Sequence, residues 1–283
     1  MTLYYPDISG YQGNIDLAGV PAACAKATEG TGFTSPAYAE QKAMAARDGA
    51  FFLAYHFLHH GNAAAQAAHC HAVAGGTPLM LDFEPAGSSA PQLADAMSFT
   101  DDYRKAGGTC NLVYLPHWYW LQLGAPDLKP LRDRGMLLVS SAYPGGYPGD
   151  HGSGWTPYGG YREVTIWQYT ASQALHGQRV DYNAYRGTLA QLESLVRTGK
   201  LPGTKPGVPV MPVSVLHLGS QGGDVALLQG KLSGSGLPGV RGIAVDGVFG
   251  QQTEAAVRHF QELEGLAVDG IVGPATWPMV WAL

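Results

Sequence analysis

Two acids stand two residues apart in the segment PLMLDFEP, residues 78–85: Asp82 and Glu84, at the end of a short apolar run and just ahead of Pro85. On an extended strand, positions i and i+2 face the same side, roughly 6.5–7 Å apart along the chain. Both carboxyls should therefore enter one crevice, with Pro85 ending the strand ladder behind them. Carboxylates held this close raise one another's pKa, and aromatics such as Phe83 add desolvation. The expected result is one proton donor and one anion near neutral pH. Glycosidic bond cleavage needs such a pair, because the leaving oxygen must be protonated while positive charge grows on a sugar.

D-x-E alone is a weak signal, and two solvated acids after a strand would look the same. Other strand ends add weight. Short apolar runs occur at residues 3–5, 22–27, 50–57, 78–81, 111–115, 136–140 and 164–168. Helical stretches lie between several of them. One starts at Ser35 and Pro36 and stops at Gly49, a second runs from Asn62 to Gly75, and a third ends in Arg104, Lys105 and Gly107. Strand–helix alternation predicts parallel strands joined by helices. About seven or eight strands in roughly 200 residues favour a TIM-like βα barrel over a doubly wound open sheet, and both put active groups at strand C-terminal ends. Asp7 ends the first such run and Asp181 sits near the last; Tyr55 and His56 fall on the same rim, as does the WQY of Trp167–Tyr169. A glycine-rich loop over residues 143–161 is too long for an ordinary connection. Its Tyr143, Tyr147, Trp155, Tyr158 and Tyr161 suit stacking on sugar rings.

These motifs together resemble the family 25 glycoside hydrolases, the Chalaropsis-type lysozymes of phages, bacteria and some fungi. The resemblance runs from DISGYQGNID (7–16) through AKATEGTGFTSPAY (25–38), AYHF, LDFE, LVY (112–114) and IWQYT to VDYNAY (180–185), nearly all of residues 4–186. It implies an N-acetylmuramidase that cuts the β-1,4 bond between N-acetylmuramic acid and N-acetylglucosamine. By resemblance Glu84 is the proton donor, Asp82 its partner, and Asp7 and Asp181 further acids lining the groove. Tyr55, Tyr114, Tyr143 and Trp167 are placed along the sugar groove, with Lys26 and Glu29 at its rim. Lys26 is expected either to pair with an acid and hold Asp7 charged or to form a structural salt bridge. The Ala- and His-rich segment after AYHF departs from the family pattern.

Composition shifts near residue 199. A Pro-, Gly- and Val-rich stretch, residues 199–214, reads as a linker between a catalytic domain at 1–198 and a small three-helix all-α domain at 215–283. In the latter, VDGVFGQQTEAAV is echoed 23 residues on by VDGIVGPATWPMV, each with a tight turn and a threonine placed to cap the next helix. This tail resembles the peptidoglycan-binding domain of cell-wall hydrolases. Trp277 and Trp281 are expected in its core more than on a ligand platform.

The chain has 283 residues, 46% of them hydrophobic, and a net charge of −5; residues 201–283 hold 4 basic and 6 acidic side chains, the rest 13 and 16. Neither part has the clustered Lys and Arg that nucleic acid demands, and no apolar run approaches a membrane span. Bacterial peptidoglycan is the expected partner of a monomer without a cofactor. Three cysteines and no C-x-x-C argue against a disulfide framework or structural zinc. The histidines, with no H-E-x-x-H, do not converge as metal ligands. The glycine loops lack a phosphate-loop ending, and VDGVFG lacks an EF-hand series. The N-terminus shows no leader. Together these features point to a phage endolysin that accumulates in the host cytoplasm before reaching the wall, with a secreted bacterial autolysin as the alternative. The rivals are a non-catalytic wall-binding protein, which has no need of a paired acid, and a wall amidase or peptidase, which needs zinc or a Cys-His pair.

Overall fold

A computed structural model describes residues 2–144, 152–201, 215–237, 240, 242–273 and 275–283, with the side chains of 278, 281 and 282 outside the description. The chain divides into two compact units, Met1–Gly203 and Thr204–Leu283. Tyr147, the side chain of Trp281 and most of the expected linker lie outside the description.

The first unit contains β1 (Thr2–Ile8), β2 (Ala22–Glu29), the two-residue β3 (Phe33–Thr34), β4 (Phe51–Phe57), β5 (Leu79–Asp82), β6 (Cys110–Tyr114), β7 (Leu137–Ser141), β8 (Ile166–Leu175) and β9 (Gln178–Arg186). Its helices are α1 (Tyr38–Asp48), α2 (Ala63–Ala74), α3 (Leu93–Lys105), α4 (His117–Gln122), α5 (Lys129–Asp133) and α6 (Leu189–Thr198). The strands pair in the order β1-β9-β8-β7-β6-β5-β4-β2, and β1 pairs with β2, so eight of them close into a barrel with β3 hooked onto β2.

The barrel is not wholly parallel, as the strand–helix alternation led us to expect. Strand β9 runs antiparallel to both neighbours, β1 and β8. The reason is local. Strands β8 and β9 are joined only by His176 and Gly177, whose φ angles are 44° and 83°. Two central residues with positive φ make a tight hairpin turn matched to strand twist. So short a link cannot hold a crossover helix. The reversal matters for chemistry: Asp181 lies near the start of β9, and a reversed strand starts at the end where its parallel neighbours finish. Asp7 accordingly faces both Cys24 and Asp181 in register.

Alternation along each strand divides the core. Tyr5, Cys24, Leu53, Met80, Leu112, Val139, Ile166 and Tyr185 fill the barrel interior, and Leu192, Leu195 and Val196 of α6 join that cluster. The outward residues Ala23, Ala54, Leu81, Phe83, Val113, Leu138 and Trp167 pack against the surrounding helices. Helix α1 stops where expected: Gly49 has φ 72° and its N–H donates to Ala45 O. The helix starts differ from expectation. Ala37 and Asn62 precede α1 and α2 without a side-chain cap bond.

The second unit contains α7 (Gly223–Gly234), α8 (Gln251–Leu263) and α9 (Thr276–Ala282). Leu228, Leu232, Phe249, Phe260, Val272 and Trp277 lie in its core. The repeat has a physical purpose other than the one expected. Gln229 Nε2 donates to Asp246 Oδ1, Val248 O and Thr253 Oγ1 at 2.8–3.0 Å. Gln261 Nε2 donates likewise to Asp269 Oδ1, Ile271 O and Thr276 Oγ1 at 2.8–3.2 Å. The threonines therefore clasp a buried glutamine from the preceding helix instead of capping the next one.

Candidate active site

The C-terminal end of the parallel strands opens into a cleft of about 660 Å³. Asp7, Lys26, Tyr55, Asp82, Glu84, Tyr114, Tyr143 and Asp181 line it. Of the ten residues that the family resemblance places at the groove and its rim, all but Trp167 thus share one cavity, Glu29 included. Asp82 ends β5, and Glu84 follows two residues on, just past the strand. Phe83 between them points the other way, fully buried, its ring edge-on to Tyr119 at 5.7 Å. Strand alternation therefore does place both acids on one face.

The barrel order adds what spacing could not. Strands β5 and β9 are four steps apart in either direction around the ring of eight. Asp181 therefore faces Glu84 across the cleft, while Asp82 stands beside Glu84 at the end of β5.

All four acids hold protons more tightly than free carboxyls do. Burial, then the charge of Asp181, pushes Glu84 up to about 7, with Lys26 opposing. Burial pushes Asp181 up to about 6. Asp82 is raised well above the usual carboxylate range by burial, then by Glu84 and Asp7. Asp7 is raised by burial and by Asp181, against hydrogen bonds to Asn183 and Cys24. Asp82 Oδ1 also has no hydrogen-bond partner among the described residues. The expected split, with Asp82 ionised beside a protonated Glu84, is therefore corrected. Burial without a hydrogen bond to the charged form favours neutral Asp82, so the acids share fewer negative charges than their number near pH 7.

Lys26 lies at the rim but does not pair with Asp7. Its Nζ meets Glu29 Oε2 at 2.5 Å and sits 4.7 Å from the centre of the Phe57 ring. Glu29 also bonds His59 Nε2 at 2.9 Å. Burial opposes the Glu29 charge, but the bonds to Lys26 and His59 outweigh it and hold its pKa below the usual value. The structural salt bridge is the arrangement found.

Trp167 does not line the cleft. It is fully buried on the outer face of β8, where its Nε1 donates to Ala142 O at 2.9 Å. The residue after it, Gln168, faces inward and lines the cleft. His56 is likewise turned outward from the rim. It is buried, stacked on Phe99 at 4.6 Å and bonded to Thr28, and burial lowers its pKa to about 3. The long loop also differs from expectation. Trp155 packs edge-on to Trp167, Tyr158 donates to Leu115 O, and Tyr161 donates to Met136 O. These aromatics pin the loop to the barrel, and Tyr143 is the described loop tyrosine that lines the cleft. Gly154 marks how closely the loop packs, since a Cβ there would fall 1.9 Å from Trp167 Cε2. Gly154→Ala should therefore destabilise the fold by about 1–3 kcal/mol through overpacking, read as a lower thermal midpoint with the α/β circular dichroism retained.

Gln168, Ser141, Ser9, Tyr11 and Trp118 also line the cleft but were not singled out from sequence. A polar residue between two aromatics in IWQYT was the available signal for Gln168. Trp118, 47% exposed on α4, carried none. All three cysteines are buried and free. Among the described residues no group of three or more His, Cys, Asp or Glu is arranged to hold a metal, and no helix is long and apolar enough to cross a membrane.

The glycosyl hydrolases family 25 profile matches residues 6–178, and a peptidoglycan binding domain profile matches residues 221–279. An N,O-diacetylmuramidase of a Chalaropsis species is 32% identical over 218 residues, covering 67% of this chain and 96% of that protein. One from Arthroderma benhamiae is 27% identical over 215 residues, 68% of this chain and 86% of its own. The crystal structure of a bacterial lysozyme from Streptomyces coelicolor superposes with a TM-score of 0.59 at 25% identity, covering 70% of this chain and 98% of the other.

Proposed function

The chain belongs to the family 25 glycosyl hydrolases, and from that membership we propose that it is an N-acetylmuramidase cleaving the β-1,4 bond between N-acetylmuramic acid and N-acetylglucosamine of bacterial peptidoglycan. The observation that carries this reading is the juxtaposition of Glu84, with a pKa near 7, and Asp181 on the opposite wall of one cleft. Near neutral pH a good part of Glu84 is protonated, which suits a general acid.

In our reading Glu84 gives its proton to the glycosidic oxygen as the C1–O bond breaks. The substrate's acetamido oxygen attacks C1 from the other face, and Asp181 orients that amide and balances its growing positive charge. Glu84, now a carboxylate, then takes a proton from the water that opens the cyclic intermediate. A group opposite the acid suits this role better than Asp82, which stands beside it. Burial and the charge of Asp181 keep Glu84 protonated, and the Glu84 charge in turn raises Asp82 and Asp7. Tyr55, Tyr114 and Tyr143 hold the sugars. Reducing-end analysis of digested wall tests the reading: new muramic acid reducing ends support it, whereas new glucosamine ends, free peptides or no products reject it.

The second unit holds the enzyme on an insoluble polymer and so raises effective concentration instead of supplying chemistry. A chain ending at Gly203 should bind sacculi at least about tenfold more weakly yet cleave soluble glycan fragments at an unchanged rate. A well-folded but inert truncate would contradict that division. We further propose a monomeric phage endolysin, held in the host cytoplasm until membrane lesions open the way to the wall, without nucleic-acid or membrane partners. The cysteines and the two-unit layout support it. Lysis of a host expressing the chain only when its membrane is permeabilised would bear this out; export and lysis without permeabilisation would favour the secreted alternative.

A further inference from the structure

Gln168 joins three residues of the cleft. It lies on the inward face of β8 and is 5% exposed. Its Oε1 accepts the hydroxyl of Tyr114 at 3.1 Å and that of Tyr143 at 2.5 Å. Its Nε2 points to Asp181 Oδ2 at 3.4 Å. In this orientation of the carboxamide its oxygen serves both phenols and its nitrogen faces the carboxylate. An amide oxygen has two lone pairs, and both are used here. A flipped amide would set oxygen against oxygen at an ionised Asp181.

We propose that Gln168 is a positioning residue for Asp181, donating its amide N–H so that the carboxylate is kept ionised and aimed at the substrate amide opposite Glu84. The proposal rests on the muramidase reading of the cleft. The surroundings show why a neutral donor is needed. Asp7 from β1 and Glu84 beyond β5 face Asp181 with the same charge type, and Tyr55 from β4 and Tyr143 beyond β7 complete the wall. Lys26 from β2 is engaged by Glu29. An N–H donated to a carboxylate favours its charged form without adding a cation that would also ionise Glu84. At 3.4 Å the bond is long, in keeping with an Asp181 pKa that burial still holds up to about 6.

The test compares Gln168→Glu and Gln168→Met with the full-length parent by carbon-13 NMR titration of the Asp181 carboxyl and by the pH profile of kcat/KM. In Gln168→Glu a third acid adjoins Asp181, so its pKa should rise by about one unit or more, and the acidic limb of the profile should rise with it. Gln168→Met keeps the volume, loses the donor and should shift both in the same direction by less. In each, kcat should fall by about tenfold or more while KM stays within about threefold, the signature of an interaction made in the transition state. If both Gln168 variants lose the fold, the Tyr114→Phe, Tyr143→Phe double variant frees the carboxamide while leaving Gln168 in place, and should raise the Asp181 pKa. An Asp181 titration that stays in place in the folded variants overturns the proposal even if kcat falls. The NMR reading needs no turnover, so a moved titration in a chain that leaves the wall uncut would reject the muramidase reading and keep the Gln168–Asp181 link.

Discussion

Glu84→Gln should abolish wall cleavage, leave wall binding intact and stabilise the fold above neutral pH. Loss of a positioned general acid costs on the order of 10²–10⁴ in rate, and glutamine has the size and polarity of the residue it replaces. The stability effect follows from linkage. The Glu84 pKa is raised from 4.5 to about 7 in the folded protein, so the native state holds this proton more tightly than the unfolded chain. The contribution is fully present below pH 4.5 and is lost as pH rises through about 7. By pH 8 burying the carboxylate costs on the order of 3 kcal/mol. Glutamine carries no such charge. The variant's thermal midpoint should match the parent's at pH 4 and exceed it at pH 8. Retained lysis would remove Glu84 from the role of acid, and parallel melting curves at both pH values would show that its carboxyl is not held near 7.

Asp181→Asn should lower kcat by about 10²–10³, in the range seen when one oriented charge is removed from a transition state, with a small change in KM. It also makes a second, independent prediction. Asp181 is the largest charged contributor raising Glu84. Removing that charge lowers the Glu84 pKa, so the acid deprotonates earlier and the alkaline limb of the residual activity moves to lower pH. A kcat within twofold of the parent, or an alkaline limb that moves upward, would contradict the arrangement. The two variants also separate the acids. Glu84→Gln leaves no cleavage to profile, whereas Asp181→Asn keeps the alkaline limb and displaces it.

The four acids also show what the site costs the fold. Asp7, Asp82, Glu84 and Asp181 all have raised pKa values beneath one barrel mouth, while the ammonium of Lys26 is taken up by Glu29. A lysine aimed at the acids would stabilise their anions and draw Glu84 back toward an ordinary carboxyl, unfit to donate a proton near pH 7. Pairing Lys26 with Glu29 leaves it only a partial pull on Glu84, and the site trades stability at alkaline pH for a usable acid.

Much of this was readable in residue order. The Asp82–Phe83–Glu84 alternation depends only on the two-residue period of an extended chain, and the structure keeps it. The Gly49 helix stop and the twin VDG turns are equally local. Reading failed where the outcome hung on contacts between distant segments. Trp167 and Gln168 are neighbours, and which of them faces the cleft follows from the register of β8 against β7 and β9. Trp155, Tyr158 and Tyr161 had the composition of sugar platforms, but packing against Trp167 and the barrel backbone buried the first two and half-buried the third. Asp181 was placed at a strand end by analogy with parallel strands, yet reaches the cleft because its strand is reversed.

Residue types and short periods thus settle which chemistry is on offer and which side chains share a face, since these depend on geometry within a few residues. Ring closure sets Asp181 opposite Glu84, and desolvation raises all four acids. Both effects arise only when segments far apart in the chain pair and exclude water together.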